Sequence, residues 1–286
     1  MDYQLFYDQF ASQYDEMTLF ESRIEKEKIF FENLKNKYNF KSALDVGCGT
    51  GAHSIILSSL GIDTIGIDPS LGMIEKAKLN AKNYNNIKFY QETLEQHSER
   101  NQNKYDAIFF MGNGLAHITE KTKLNNFINS LKNMLSENSI FVFQILNYDK
   151  IFIEKERIIN IRDVKDKLYI RFYDFLDNNK INFNILIIQK ENSNILKHKL
   201  ISTSLYGYTY SEILKLFTEF GFEILNEYGD LNMNDYSIKN SQNLILVLRT
   251  INWRDVKMKK ICYTFFVLII FIFGCSVGDK FLGTDN

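Results

Sequence analysis

One short segment, LDVGCGTGAHS at residues 44–54, restricts the possible folds more than any other part of the chain. It carries glycines at three alternate positions, Gly47, Gly49 and Gly51, directly after the apolar run Ser42–Val46, which is typical of a buried strand. The residues that follow have the apolar spacing of a helix. A glycine-rich turn between a strand and a helix lets the backbone come close to a ligand, so the segment predicts a binding turn. A tight turn without a ligand is the alternative.

Short apolar strands and helical segments alternate along the first half of the chain. We predict helices at residues 20–38, 52–60, 70–81 and 122–135, and strands at residues 63–68, 87–91, 105–112 and 139–146. Strands that alternate with helices usually pair in parallel. This order therefore predicts an α/β fold with a doubly wound sheet.

The pattern changes after this alternation. Four segments rich in β-branched and aromatic residues follow one another, separated by turn residues and with no helix between them. They predict an antiparallel β insertion at residues 147–203. A helix and two strands then complete one domain, residues 1–250; they are predicted at residues 211–220, 222–229 and 243–250.

Residues 251–286 differ from the rest and form a hydrophobic tail. Two lysines precede an uncharged apolar run, Ile261–Phe273, and Cys275 follows it. This pattern resembles the signal peptide of a bacterial lipoprotein, with the cysteine as the lipidated residue. It predicts that the residues from Met258 onward begin a neighbouring gene product that is joined to the domain. The alternatives are an anchor that holds the domain on the inner face of the membrane and a buried core helix.

Composition limits the classes of function. The formal net charge is −1, so no overall field favours nucleic acid or an anionic membrane. Within residues 1–250 the one cysteine is Cys48, so this part of the chain can form no internal disulfide. We therefore predict a cytoplasmic location, with membrane attachment only through the tail. The histidines and cysteines lack the spacing of metal ligands, so no metal site is predicted.

The spacing of the glycines indicates which ligand the turn holds. A dinucleotide turn has the spacing G-x-G-x-x-G, whereas this turn has G-x-G-x-G, and the chain contains no G-x-x-x-x-G-K-[ST] phosphate loop. With Asp45 before the glycines, the turn resembles the first motif of class I S-adenosylmethionine-dependent methyltransferases, D/E-x-G-x-G-x-G. The resemblance implies S-adenosyl-L-methionine as the cofactor. It also implies a Rossmann-like seven-stranded sheet with the strand order 3-2-1-4-5-7-6 and a reversed last strand.

The resemblance further assigns residues to the cofactor. Asp45 would bind its ammonium group, and Asp68, at the end of the second strand, its two ribose hydroxyls. Thr93 follows Glu92 at a position where the family usually has Gly-Asp, which leaves the Thr93 hydroxyl and the Leu94 amide to recognise the adenine. The other implied contacts are Tyr14 over the cofactor, the turn residues Gly47, Cys48, Gly49 and Gly51, Met73 at the adenine and Met111 beside the sulfonium. An ordinary turn aspartate before Pro69 is the alternative for Asp68, packing in the core for Met73, and packing on the first helix for Tyr14.

Two later segments narrow the resemblance. MGNGLAHI at residues 111–118 and LNYDKI at residues 146–151 resemble segments of glycine and sarcosine N-methyltransferases and their bacterial relatives. They imply a small-molecule acceptor, which the β insertion would cover, and three candidate catalytic residues. These are Asn113, His117 and Arg171, whose guanidinium would bind an acceptor carboxylate. A histidine bonded to the backbone and an exposed strand arginine are the alternatives for the last two.

Together these features predict the transfer of a methyl group from S-adenosylmethionine to a small molecule, with nitrogen favoured over oxygen. The reaction is an in-line displacement at the methyl carbon, in which the protein positions the acceptor and excludes water. The alternatives are a non-catalytic S-adenosylmethionine-binding module and a methyltransferase of a macromolecule. The Pro-Pro motif of DNA adenine methylation is absent, because Pro69 is the one proline, so nucleic acid is not a predicted partner. The sequence leaves the acceptor and the oligomeric state open.

Overall fold

The computed structural model describes residues 3–191 and 194–251. The described residues up to Arg249 form one compact unit. The predicted signal peptide and its alternative, a membrane anchor, fall on residues outside the described ranges. Within those ranges, no helix has the length and apolar character that crossing a bilayer requires. The division of the chain at residue 250 stays a prediction.

The described residues alternate between strands and helices in the first half and are richer in strands in the second. The strands are β1 (Ser42–Val46), β2 (Asp63–Asp68), β3 (Ile87–Gln91), β4 (Tyr105–Phe110), β5 (Leu135–Leu146), β6 (Ile158–Val164), β7 (Lys167–Phe175), β8 (Lys180–Glu191), β9 (Asn194–Tyr206), β10 (Phe222–Tyr228) and β11 (Asn243–Thr250). The helices are α1 (Tyr3–Asp8), α2 (Ala11–Thr18), α3 (Phe20–Tyr38), α4 (Ala52–Ser59), α5 (Leu71–Asn80), α6 (Leu94–Arg100), the short 3-10 helix η1 (Gly114–His117), α7 (Lys121–Met134), α8 (Tyr148–Glu154) and α9 (Tyr210–Glu219).

Seven strands form the central sheet in the order β3-β2-β1-β4-β5-β11-β10. The strands β1 to β5 pair in parallel with one another, and β11 runs antiparallel to β5. This arrangement confirms the predicted Rossmann-like α/β sheet, its strand order 3-2-1-4-5-7-6 and its reversed last strand. The carboxyl ends of β1, β2 and β4 lie at one edge of the sheet, where open α/β folds bind their ligands.

The central strands are apolar along their length because side chains on both faces of the sheet are buried. In β5, the rings of Phe141 and Phe143 lie on one face and pack against Phe217 of α9, with ring centroids 5.8 and 5.1 Å apart. Val142 lies on the other face, in the same cluster as Phe31 of α3. Each such buried side chain stabilises the fold by about 1.5–3 kcal/mol. Alternation along one strand therefore attaches both helical layers to the sheet.

The strands β6 to β9 form a separate antiparallel sheet, which confirms the predicted β insertion. It begins later than predicted, because α8 comes between β5 and β6, and it extends to Tyr206. Buried residues of this sheet, among them Tyr169 and Ile201, pack against Phe6 of α1 and Phe10. The insertion thus holds the N-terminal helices in place.

The sequence does not predict four of the helices, α1, α2, α6 and α8. Each has eight residues or fewer, which is too short to establish a clear apolar period. Isolated helices of this length are unstable in water, so they form here because tertiary contacts hold them.

A chain that ends at Thr250 should fold and bind S-adenosylhomocysteine, because β11 ends at this residue and completes the central sheet. Thermal unfolding of both chain lengths checks this. We expect midpoints within about 3 °C of each other, which corresponds to less than about 1 kcal/mol. An unfolded shortened chain would show that the residues after 250 belong to the domain.

Candidate active site

A cavity of about 800 Å³ lies at the carboxyl ends of β1, β2 and β4. Its lining includes Val46 and Gly47 from the end of β1, Asp68 from the end of β2, and Phe110 and Met111 from the end of β4. This is the size and position expected of a site for a small-molecule ligand.

The glycine turn takes a conformation that other residues rarely adopt. Gly47, Gly49 and Gly51 have φ angles of +63°, +55° and +89°, all in the left-handed region. At Gly51 a Cβ atom would also lie only 3.1 Å from the Phe89 ring. Gly47, Cys48 and Gly49 line the cavity, whereas Gly51 is not among the lining residues and directly precedes α4 as its N-cap.

The carboxylate of Asp68 joins this turn to β2 and faces the cavity. Its Oδ2 accepts a hydrogen bond from the amide of Gly49 at 3.0 Å, and its Oδ1 accepts one from the amide of Ser70 at 2.9 Å. Burial is the main cause that raises its pKa to about 6, although the two amides favour the ionised form. Near neutral pH the group is thus ionised and can accept hydrogen bonds from a ligand.

The other predicted acid of this region, Asp45, is placed behind the turn. It is fully buried, and its Oδ2 accepts a hydrogen bond from the Ser54 hydroxyl at 2.6 Å. Burial raises its pKa. The residues that line the described cavity do not include Asp45, so its contact with a cofactor ammonium stays a prediction.

The predicted adenine contacts line one part of the cavity: Met73, Thr93 and Leu94. The Thr93 hydroxyl oxygen accepts the amide of Gln96 and so caps α6. The neighbouring Glu92, which also lines the cavity, is held by Arg100 and by His97, whose Nδ1 lies 2.8 Å from Glu92 Oε2. The side chains of residues 92 and 93 are therefore both engaged within the protein.

His117 is the predicted catalytic residue that lines the cavity. Its Nε2 lies 3.0 Å from the hydroxyl of Tyr7, so its partner is a side chain and not the backbone. Its Nδ1 is buried and has no hydrogen-bond partner among the described residues. Burial lowers the pKa of His117 to about 4, so the imidazole is neutral near pH 7. Tyr14 and Met111 line the same cavity.

Asn113 and Arg171, the other two predicted catalytic residues, are not among the residues that line the cavity. The side-chain Nδ2 of Asn113 donates a hydrogen bond to the Tyr148 hydroxyl at 2.9 Å, and its Oδ1 accepts one from the backbone amide of Leu146 at 3.1 Å. These bonds tie the loop after β4 to the end of β5. Arg171 Nε donates to Asn160 Oδ1 at 2.7 Å within the insertion, and burial lowers its pKa. Their catalytic roles stay predictions.

Several residues of the site escape the sequence analysis. Arg23 and Glu27 are four residues apart on α3, a spacing that also occurs in surface ion pairs, but here Arg23 lines the cavity together with His53 of α4. Tyr7 of α1 and Thr203 of β9 reach the cavity from distant parts of the chain. No local signal marks them, because only the packing of α1 against the insertion brings them to this edge of the sheet.

Comparison with known protein sequences places this geometry in context. A family model described as a methyltransferase domain matches residues 43–138. The glycine/sarcosine N-methyltransferase of Parasynechococcus marenigrum is 24% identical over 242 residues, 79% of each chain. That of Aphanothece halophytica is 25% identical over 234 residues, 77% of this chain and 81% of the relative. A ubiquinone biosynthesis O-methyltransferase of Aliivibrio fischeri is 32% identical over 108 residues, 37% of this chain and 44% of the relative.

Solved structures share the fold at lower identity. An S-adenosylmethionine-dependent methyltransferase from Clostridium acetobutylicum superposes with a TM-score of 0.71 at 18% identity, covering 86% of this chain and 99% of that one. The CcbJ methyltransferase from Streptomyces caelestis superposes with a TM-score of 0.73 at 17% identity, covering 86% and 98%.

The pKa of Asp68 predicts how cofactor binding depends on pH. Hydroxyl donors bind the ionised carboxylate, so affinity for S-adenosylhomocysteine should be constant above about pH 7 and fall as the pH drops through about 6, by up to roughly tenfold per pH unit. Asp68→Asn keeps the shape but cannot titrate. We expect it to bind about tenfold or more weakly at neutral pH and to lose this pH dependence. Calorimetric titration at several pH values measures both, and an unchanged pH profile in the variant would remove Asp68 from the site.

Proposed function

We propose that this chain, which belongs to the class I S-adenosylmethionine-dependent methyltransferases, methylates an amine nitrogen of a small molecule. The observation that carries the proposal is the neutral, buried imidazole of His117, which lines the cavity and whose Nδ1 has no hydrogen-bond partner among the described residues. The cofactor supplies an activated methyl group, and the side chains of this chain have to bind, orient and shield the reactants.

The cofactor half of the cavity is lined by charged groups that complement S-adenosylmethionine. Asp68 is suited to the ribose hydroxyls, because both of its oxygens are already oriented by backbone amides. Arg23 lines the cavity beside Gly47 and Cys48, and its guanidinium is suited to the carboxylate of the methionine part, which it can bind through two parallel hydrogen bonds. We infer that the cofactor lies between these two side chains.

The acceptor half is lined by groups from three separate elements. Tyr7 comes from α1, His117 from η1, and Thr203 and Ser204 from β9. The ring of Tyr7 lies 5.4 Å from that of His117 and 6.2 Å from that of Tyr14, measured between centroids. Aromatic faces stabilise a cation, so they suit an amine that gains positive charge during the reaction.

The chemistry of the two acceptor types favours nitrogen. A neutral amine attacks the methyl carbon with its lone pair, the new N–C bond forms as the C–S bond breaks, and the bonding pair leaves with the sulfur. The ammonium product can lose its proton to water afterwards, so no base is needed during transfer. A hydroxyl acceptor needs a base that removes its proton, and an imidazole with a pKa of about 4 is a weak base at neutral pH.

The names of the relatives support the same choice, because two that align over most of their length are glycine/sarcosine N-methyltransferases. The relative named as an O-methyltransferase aligns over a shorter stretch. Glycine itself needs a group that binds its carboxylate. Arg171, whose Nε donates to Asn160, is not among the residues that line the described cavity, so we extend the proposal to amines in general rather than to glycine alone.

Incubation with radiolabelled S-adenosylmethionine tests the proposed function. The acceptors are matched sets: sarcosine, an amino sugar, the parent sugar without the amine, and catechol. We expect label to enter at least one amine and neither of the two hydroxyl-only compounds. Label in catechol with none in any amine would contradict a nitrogen acceptor.

The proposed contact of Arg23 is tested with two ligands of the same nucleoside. S-adenosylhomocysteine carries the methionine-type carboxylate, whereas 5′-methylthioadenosine lacks the whole amino acid part. In Arg23→Gln we expect S-adenosylhomocysteine to bind about tenfold or more weakly, from the loss of charge-assisted hydrogen bonds, while the dissociation constant of 5′-methylthioadenosine stays unchanged. An equal loss for both ligands would show that Arg23 only stabilises the fold.

A further inference from the structure

One ring nitrogen of His53 makes two short contacts that exclude each other. Arg23 Nη2 lies 2.8 Å from His53 Nε2, and Glu27 Oε2 lies 2.7 Å from the same atom. A guanidinium can only donate hydrogen bonds, and an ionised carboxylate can only accept them. His53 Nε2 can therefore bond to Glu27 when it carries a proton or to Arg23 when it does not. It cannot do both at once.

The surroundings keep both partners charged. Burial raises the pKa of Glu27, but hydrogen bonds and charges from Arg23 and from His53 in its protonated form outweigh this and lower it to about 2. Arg23 is also paired with Glu27 through its Nε, at 2.9 Å. The other titratable groups near this network are Asp45 at the end of β1 and Tyr14 of α2. The ring of Phe31, an apolar neighbour of the imidazole, lies at a centroid distance of 5.2 Å.

Both Arg23 and His53 line the cavity beside the glycine turn, at the position where the proposed function puts the cofactor carboxylate. A carboxylate at this position would compete with His53 for Arg23 Nη2. We propose that His53 is a positioning residue for Arg23 and takes up one proton when this carboxylate binds. The inference rests on the proposed binding of the carboxylate by Arg23.

The exchange conserves atoms and charge. We infer that in the ligand-free protein His53 carries its one proton on Nδ1, so that Nε2 accepts the hydrogen bond from Arg23. The bound carboxylate draws Arg23 away, and Nε2 then takes a proton from the buffer acid and donates it in a hydrogen bond to Glu27. One N–H bond forms, the buffer acid loses its proton, and the new positive charge offsets the added carboxylate. Glu27 thereby keeps a partner when Arg23 turns to the ligand.

Titration calorimetry in buffers of different ionisation enthalpy tests the proposed proton uptake. The observed binding enthalpy is plotted against the ionisation enthalpy of the buffer, and the slope gives the number of protons taken up. The measurement belongs at about pH 8, where Asp68, with a pKa of about 6, is ionised before and after binding. We expect a net uptake of protons for S-adenosylhomocysteine and an uptake near zero for 5′-methylthioadenosine. Equal values for the two ligands in the unaltered chain overturn the inference.

The variant His53→Gln provides the matched control, since its amide can reach both partners but cannot be protonated. We expect it to bind S-adenosylhomocysteine with proton uptake near zero. Uptake equal to that of the unaltered chain would assign the proton to another group and overturn the inference. If the variant does not fold, the comparison of the two ligands decides. Failure of the unaltered chain to bind S-adenosylhomocysteine at all would overturn the proposed function, and the inference with it.

Discussion

The carboxylate of Asp68 is the group on which the site depends. Asp68 is the last residue of β2. Its carboxylate accepts hydrogen bonds from the amide of Gly49, in the turn after β1, and from the amide of Ser70, which precedes α5. One side chain thus fixes the loops that follow both strands. A buried carboxylate is stable only when hydrogen bonds compensate for its lost hydration. Because these two partners are backbone amides, the turn must keep the left-handed conformation that its glycines allow, and the cavity takes its shape from that turn.

The cofactor half and the acceptor half that we propose for the cavity are built by different means. The cofactor half follows from the central sheet and from the loops at the carboxyl ends of its strands. The acceptor half is a joint product of α1, η1 and β9, and the packing of Phe6 and Phe10 on the insertion sheet holds it together. Because these elements add no strand to the central sheet, the acceptor half can change in evolution while the cofactor half stays the same.

The sequence predicts local features well where a strong pattern decides them. The apolar strands, the glycine turn and the long helices follow from periodicity and turn chemistry, and the parallel order follows from the alternation of strands and helices. The short helices do not, because each depends on contacts with other elements. In the site, His117 is predicted but its partner Tyr7 is not, since 110 residues separate them and no local pattern links them.

What the sequence determines by itself is therefore the α/β framework, the glycine turn and the acid at the end of β2, because each is specified by residues that are neighbours in the chain. Tertiary structure alone decides which polar groups share the cavity. It places Asp45, which precedes the glycines, behind the turn, and it leaves Arg171 bonded to Asn160 within the insertion. It also joins Arg23, Glu27 and His53, which lie on two helices. The physical reason is burial: a side chain's partners and its protonation depend on which elements exclude water from it, and the packing of the whole domain sets that.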